Sequence, residues 1–92
     1  MNTARVVVCY SGRVQGVGFR YTVKSLVRGY EVCGTIRNQA DGGVQLVAEG
    51  EREELKVFLQ AVRDSGLRRF ILSEEEDWSG TNEGLKGFEI IG

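Results

Sequence analysis

The stretch Gly12-Arg13-Val14-Gln15-Gly16-Val17-Gly18-Phe19-Arg20 places three glycines within seven positions and follows them closely with an arginine. Glycine reaches backbone conformations closed to other residues, so the segment can curl with successive N–H groups turned to one side. Set against a helix N-terminus, such a curl is a concave donor surface for an anion, and Arg20 adds a planar fork of charged donors. The expected occupant is one phosphate. The common nucleotide motifs fit poorly, because no Gly-Lys-Ser/Thr ending follows and Gly16-Val17-Gly18-Phe19-Arg20-Tyr21 stops short of a third glycine. Spacing alone leaves a second reading open, in which the glycines are a plain connection and Arg20 is a solvated helix residue. The side chains of Arg13 and Arg37 lie near the loop and near Asn38 in sequence, yet isolated arginines are usually surface groups, and neither is assigned a catalytic role.

The chain has no histidine, which removes the commonest zinc ligand and the commonest general acid or base near neutral pH. Whatever reaction occurs must manage without imidazole. Twelve basic against thirteen acidic residues give a net charge of −1, so neither nucleic acid nor an anionic membrane is an expected partner. The acidic run Glu74-Glu75-Glu76-Asp77 lacks the EF-hand pattern and alternates in direction if it is a strand, which reads as a solvated edge and not a metal site. No metal and no cofactor are expected. Trp78, Tyr10, Tyr21 and Tyr30 are scattered without the basic surface that base stacking needs. Cys9 and Cys33 are not in a CxxC spacing and read as reduced packing residues. No stretch approaches the ~20 apolar residues of a membrane span, and the expected address is cytoplasmic, the expected state a monomer.

The elements that must position the loop follow from periodicity. Arg5 to Ser11 alternates apolar residues as a strand does, and Val23, Leu26, Val27 and Tyr30 mark one face of a helix, with Gly29 placed to cap it. A second strand is expected over Val32 to Asn38. The Asp41-Gly42 pair signals a hairpin, and Val44, Leu46 and Ala48 then form a third strand. Glu51, Glu53 and Glu54 open a second helix whose buried face is Leu55, Phe58, Leu59 and Val62, stopped by Gly66. Arg69 to Leu72 reads as a fourth strand continuing weakly into the acidic run, and Phe88 to Ile91 as a short terminal strand. The order is βαββαβ with an extra strand. That is an α+β, ferredoxin-like arrangement in one domain over residues 1–92, with an antiparallel sheet and both helices on one face.

With these residues in place, a family resemblance is apparent. Gly12-x-Val14-Gln15-Gly16-Val17-x-Phe19-Arg20 closely resembles the acylphosphatase signature, and Gly34-x-x-Arg37-Asn38, Gly42-x-Val44 and Gly50 are similar to the family's second block. The likeness extends over essentially the whole chain. It implies hydrolysis of the carboxyl–phosphate bond of a small acyl phosphate without metal or cofactor. It also implies that Arg20 and the backbone amides of Gly12, Arg13, Val14, Gln15, Gly16, Val17 and Gly18 hold the phosphoryl group, while Asn38 positions the attacking water. The chain departs from the family's usual pattern at Tyr10, Thr35 and Glu31-Val32.

This reaction suits a chain without histidine. The departing carboxylate is a stable anion that needs little protonation, and phosphoryl transfer depends chiefly on positioning and charge stabilisation. A carboxamide such as Asn38 can orient a water without acting as a base. The alternative on the same fold is a non-enzymatic anion-binding or regulatory module. A third possibility, a domain within a larger carbamoyl-transfer machine, is disfavoured because no cysteine-rich or transferase segment accompanies the loop.

Overall fold

Strict alternation of side chains makes the first strand half-buried. In β1 (Thr3–Gly12), Ala4, Val6, Val8 and Tyr10 turn inward while their neighbours face out. The same period runs through β2 (Val32–Asn38), which buries Val32, Gly34 and Ile36, and β3 (Val44–Glu51), which buries Val44, Leu46 and Ala48. The helices α1 (Phe19–Leu26) and α2 (Arg52–Asp64) close this face with Phe19 and Val23 from one, and Leu55, Phe58, Leu59 and Val62 from the other. Each such side chain contributes roughly 1.5–3 kcal/mol of burial free energy. These observations come from a computed structural model that describes residues 2–80 and 82–92, so residues 1 and 81 of the expected 1–92 domain lie outside the described residues.

The sheet order is β4-β1-β3-β2-β5, where β4 is Ile71–Ser79 and β5 is Phe88–Ile90. The four long strands pair antiparallel, and the ferredoxin-like α+β arrangement expected from the sequence is present. The short β5 instead joins the β2 edge in parallel, aligning Gly34 with Phe88 and Ile36 with Ile90, so the complete sheet is mixed.

Three local expectations are corrected. Gly29 does not cap α1 in a left-handed conformation; the chain tightens into a 3-10 turn over Val27–Gly29, and the Tyr30 N–H closes it on the Val27 carbonyl at 3.0 Å. Gly66 does not stop α2, because Ser65 does so first: its hydroxyl donates to the Val62 carbonyl at 2.6 Å and accepts the Leu67 N–H at 3.2 Å. Arg69 and Phe70 belong to a second 3-10 turn, Arg68–Phe70, and the fourth strand is built mainly from the acidic run.

That run lies along a solvated sheet edge, as expected, with Glu75, Glu76 and Asp77 exposed and Glu74 half-buried. Glu74 and Glu76 pair in register with Tyr10 and Val8 and so face the helices, where Arg63 of α2 donates to Glu74 at 2.7 Å and Glu76 at 2.8 Å. Opposite charges thereby tie an edge strand to the helix above it. Among the described residues no group of three or more His, Cys, Asp or Glu side chains is arranged to hold a metal ion. Among the described residues no helix is long and apolar enough to cross a membrane.

Candidate active site

The glycine-rich loop leaves the sheet at Gly12 and is anchored at both ends. The Arg13 N–H donates to the Phe70 carbonyl at 3.0 Å, and the Val14 side chain is buried in the core. Gly16 and Gly18 then take the left-handed conformation, with φ of 77° and 80°. Gly18 is the N-cap of α1, and its carbonyl accepts the first helical hydrogen bond from the Thr22 N–H at 3.0 Å. No side chain caps this helix, and its first turn holds no acidic residue. Its leading N–H groups therefore remain available to an anion.

Phe19 sets the direction of the helix start. Its ring lies 5.0 Å from that of Tyr10, deep in the core, which leaves the next residue, Arg20, half-buried at the surface. Burial pushes the Tyr10 phenol well above its ordinary range, so this hydroxyl stays protonated and offers no acid–base function. Among the described residues no carboxylate comes within ion-pairing distance of Arg20. Its charge is thus uncompensated by the protein.

Asn38 ends β2, opposite Val44 of β3. Its Oδ1 is buried and has no hydrogen-bond partner, an arrangement that costs stability unless something else donates to it. Arg20, Asn38, Val14, Gly16, Gly18, Phe19 and Tyr21 line one cleft of about 220 Å³. Arg20 and Asn38, eighteen positions apart in sequence, are thereby brought to one small cavity whose lining includes a guanidinium and a carboxamide. A wider cleft of about 720 Å³ lies elsewhere, and its four carboxylates, Glu31, Glu51, Glu53 and Glu54, disfavour an anion there despite Arg28.

The expected site residues separate into groups. Arg20, Asn38, Val14, Gly16 and Gly18 converge on the cleft. Gly12, Arg13, Gln15 and Val17 do not line it: Gly12 pairs with Ile71 at the end of β1, the Arg13 amide is committed to Phe70, and Val17 packs against the core. The Gln15 side chain turns to the β2–β3 hairpin, its Nε2 donating to the carbonyls of Gln39 and Gly43 at 2.8 Å each. Arg37 is exposed and donates to Gln45 on β3. Sequence reasoning missed Tyr21 as a lining residue, 70% exposed beside Arg20, and the Gln15 side-chain bonds, whose partners are main-chain carbonyls that leave no mark on residue identity.

A family model described as acylphosphatase matches residues 6–90, a span that contains both the loop and Asn38. The chain belongs to the acylphosphatase family. Among curated relatives, an acylphosphatase of Bacillus licheniformis is 48% identical over 86 residues, covering 94% of this chain and 93% of its own. One from Clostridium acetobutylicum is 41% identical over 89 residues, covering 95% and 96%. The crystal structure of acylphosphatase from Bacillus subtilis superposes with a TM-score of 0.89 at 31% identity, over 97% of this chain and 99% of that one. The enzyme class that the sequence suggested, an acylphosphatase, is the one these relatives carry, and the sandwich of sheet and two helices is the acylphosphatase fold.

Proposed function

We propose that this acylphosphatase family member hydrolyses an acyl phosphate to a carboxylate and inorganic phosphate by in-line attack of water on phosphorus. In this reading Arg20, the backbone amides of Val14, Gly16 and Gly18 and the first turn of α1 hold the three peripheral phosphoryl oxygens. Asn38 orients the water through its side-chain carboxamide, opposite the departing carboxylate. As the water oxygen bonds to phosphorus, the bond from phosphorus to the acyl oxygen breaks and its electron pair leaves with the carboxylate. The water proton passes to a phosphoryl oxygen. Its acceptance there removes the need for a side-chain base, consistent with a chain that lacks histidine and with a neutral Tyr10.

The single observation that carries the reading is the convergence on one cleft of the Asn38 carboxamide and the Arg20 guanidinium, which has no carboxylate partner among the described residues. One group attracts an anion and the other can orient a water. Acting as one domain, a cytoplasmic monomer, belongs to the same proposal.

Hydrolysis of benzoyl phosphate in ¹⁸O-labelled water containing EDTA tests the mechanism. The expected result is chelator-resistant turnover with label in the inorganic phosphate. Label in benzoate would place attack at the carbonyl carbon, and phosphate binding without turnover would leave only an anion-binding module.

A further inference from the structure

The cleft is assembled from two segments that the chain does not hold together directly. One wall is the loop of Val14, Gly16 and Gly18, with a soft left-handed backbone at both glycines; the other is the end of β2, which presents Asn38. Building on the reading above, we infer that Gln15 is a positioning residue for the reaction, because its side-chain amide fixes the separation between the phosphate cradle and the water-holding Asn38.

The bonds are specific. Both hydrogens of one amide nitrogen are directed at carbonyls on opposite sides of the β2–β3 turn, Gln39 and Gly43, at 2.8 Å each. The turn is itself closed, with the Gln39 N–H donating to the Gly43 carbonyl at 2.8 Å, the Gly42 N–H to the Gln39 carbonyl at 3.1 Å, and the Gly43 N–H to Asp41 Oδ1 at 2.8 Å. Two carbonyls already held in a fixed relation make a rigid anchor, and Gln39 follows Asn38 directly. A shift of Gln15 therefore moves the loop relative to Asn38, whereas a shift of either segment alone breaks one or both bonds. Gln15 is itself exposed and lies outside the core, so its bonds serve local geometry and not burial.

Glutamine suits this task chemically. A glutamate of the same shape has no donor and would repel both carbonyls, and methionine fills the space with no polar contact. In-line attack tolerates little error, since a misplacement of about 1 Å can cost on the order of 100-fold in rate.

The test is a cycle of Gln15→Met and Asn38→Ala in the full chain, reading kcat on benzoyl phosphate and Kd for inorganic phosphate. Gln15→Met is expected to lower kcat about 10- to 100-fold with phosphate Kd changed less than about threefold, and Gln15→Glu to lower kcat at least as much. In the Asn38→Ala background the same change is expected to lower kcat less than about threefold, because no water remains to be aligned. Equal losses in both backgrounds, unchanged kcat in Gln15→Met, or a rise in Kd matching the loss of kcat would each overturn the positioning role alone. Normal turnover in Asn38→Ala by itself would overturn both this inference and the proposed water-holding role.

Discussion

Arg5 of β1 donates to the Glu49 carboxylate of β3 at 2.8 Å, and the pair sits on the sheet face turned away from the helices. Glu49 is only 3% exposed, because the segment between β4 and β5 crosses over it and the N–H groups of Glu83 and Leu85 donate to its two oxygens at 2.8 and 2.9 Å. Since β4 and β5 occupy opposite edges, one buried carboxylate on the central strand fastens the crossing chain midway. Replacing Glu49 with Leu leaves two amides and a guanidinium short of an acceptor. The expected loss is about 3 kcal/mol, read from urea unfolding at neutral pH.

The pH dependence of that loss has a definite sign. Burial pushes the Glu49 carboxyl up, but the Glu83 and Leu85 amides and Arg5 together outweigh it and hold the group below its usual value. The folded state therefore binds its proton less readily than the unfolded chain. The stability contributed by Glu49 is fully present above the unfolded value of about 4.3 and is lost as pH falls through the lower folded value. The difference in unfolding free energy between the parent and Glu49→Leu should shrink over that acidic window. A difference that stays constant from pH 7 down to pH 3 would contradict the role given to the carboxylate.

Gly18 carries a local requirement of a different kind. At φ of 80° an added Cβ meets no atom within 4 Å, so the cost of Gly18→Ala is conformational and not steric crowding. The expected destabilisation is about 1–2 kcal/mol, with a larger proportional loss of phosphate affinity because the start of α1 re-orients. Thermal unfolding and phosphate titration on the same sample separate the two effects.

Asn38→Ala should lower kcat on benzoyl phosphate by about 100- to 1,000-fold while leaving phosphate affinity nearly intact. It should cost little stability, since the buried Oδ1 has no intramolecular hydrogen bond to lose. Stopped assays together with chemical denaturation check both halves, and a strongly destabilised variant would mean that Asn38 has a structural partner.

Arg20→Gln is expected to remove phosphate binding and turnover together, because a neutral amide cannot replace the charged planar clamp. Arg20→Lys should retain some affinity as a point charge yet lose most of the turnover. Full activity in either variant would contradict the assignment.

The extent to which the sequence disclosed this architecture depends on the range of each interaction. Val32–Asn38 was readable to the residue, and the buried face of α2 followed from its spacing, because both signals are local and repeat with the period of their element. The fourth strand was placed a little early and its acidic half read only weakly, because four adjacent carboxylates give no apolar alternation and Arg63, which pairs with Glu74 and Glu76, lies eleven and thirteen positions away. The parallel direction of β5 was equally hidden, as three residues carry no directional signal and the crossing segment is held by a carboxylate more than thirty positions earlier. In the cleft, Arg20 and Asn38 were legible from residue type and family likeness. The Gln15 side-chain role was not, since its acceptors are backbone atoms that any residue would supply.

Titration of the ¹⁵N-labelled chain with inorganic phosphate tests most directly whether the loop and the start of α1 form the phosphate cradle. Saturable amide shifts are expected at Gly16, Gly18, Phe19 and Arg20, absent in Arg20→Gln. Shifts centred on Arg28, Glu31 and Glu53 in the wider acidic cleft, or none at high phosphate concentration, would contradict it.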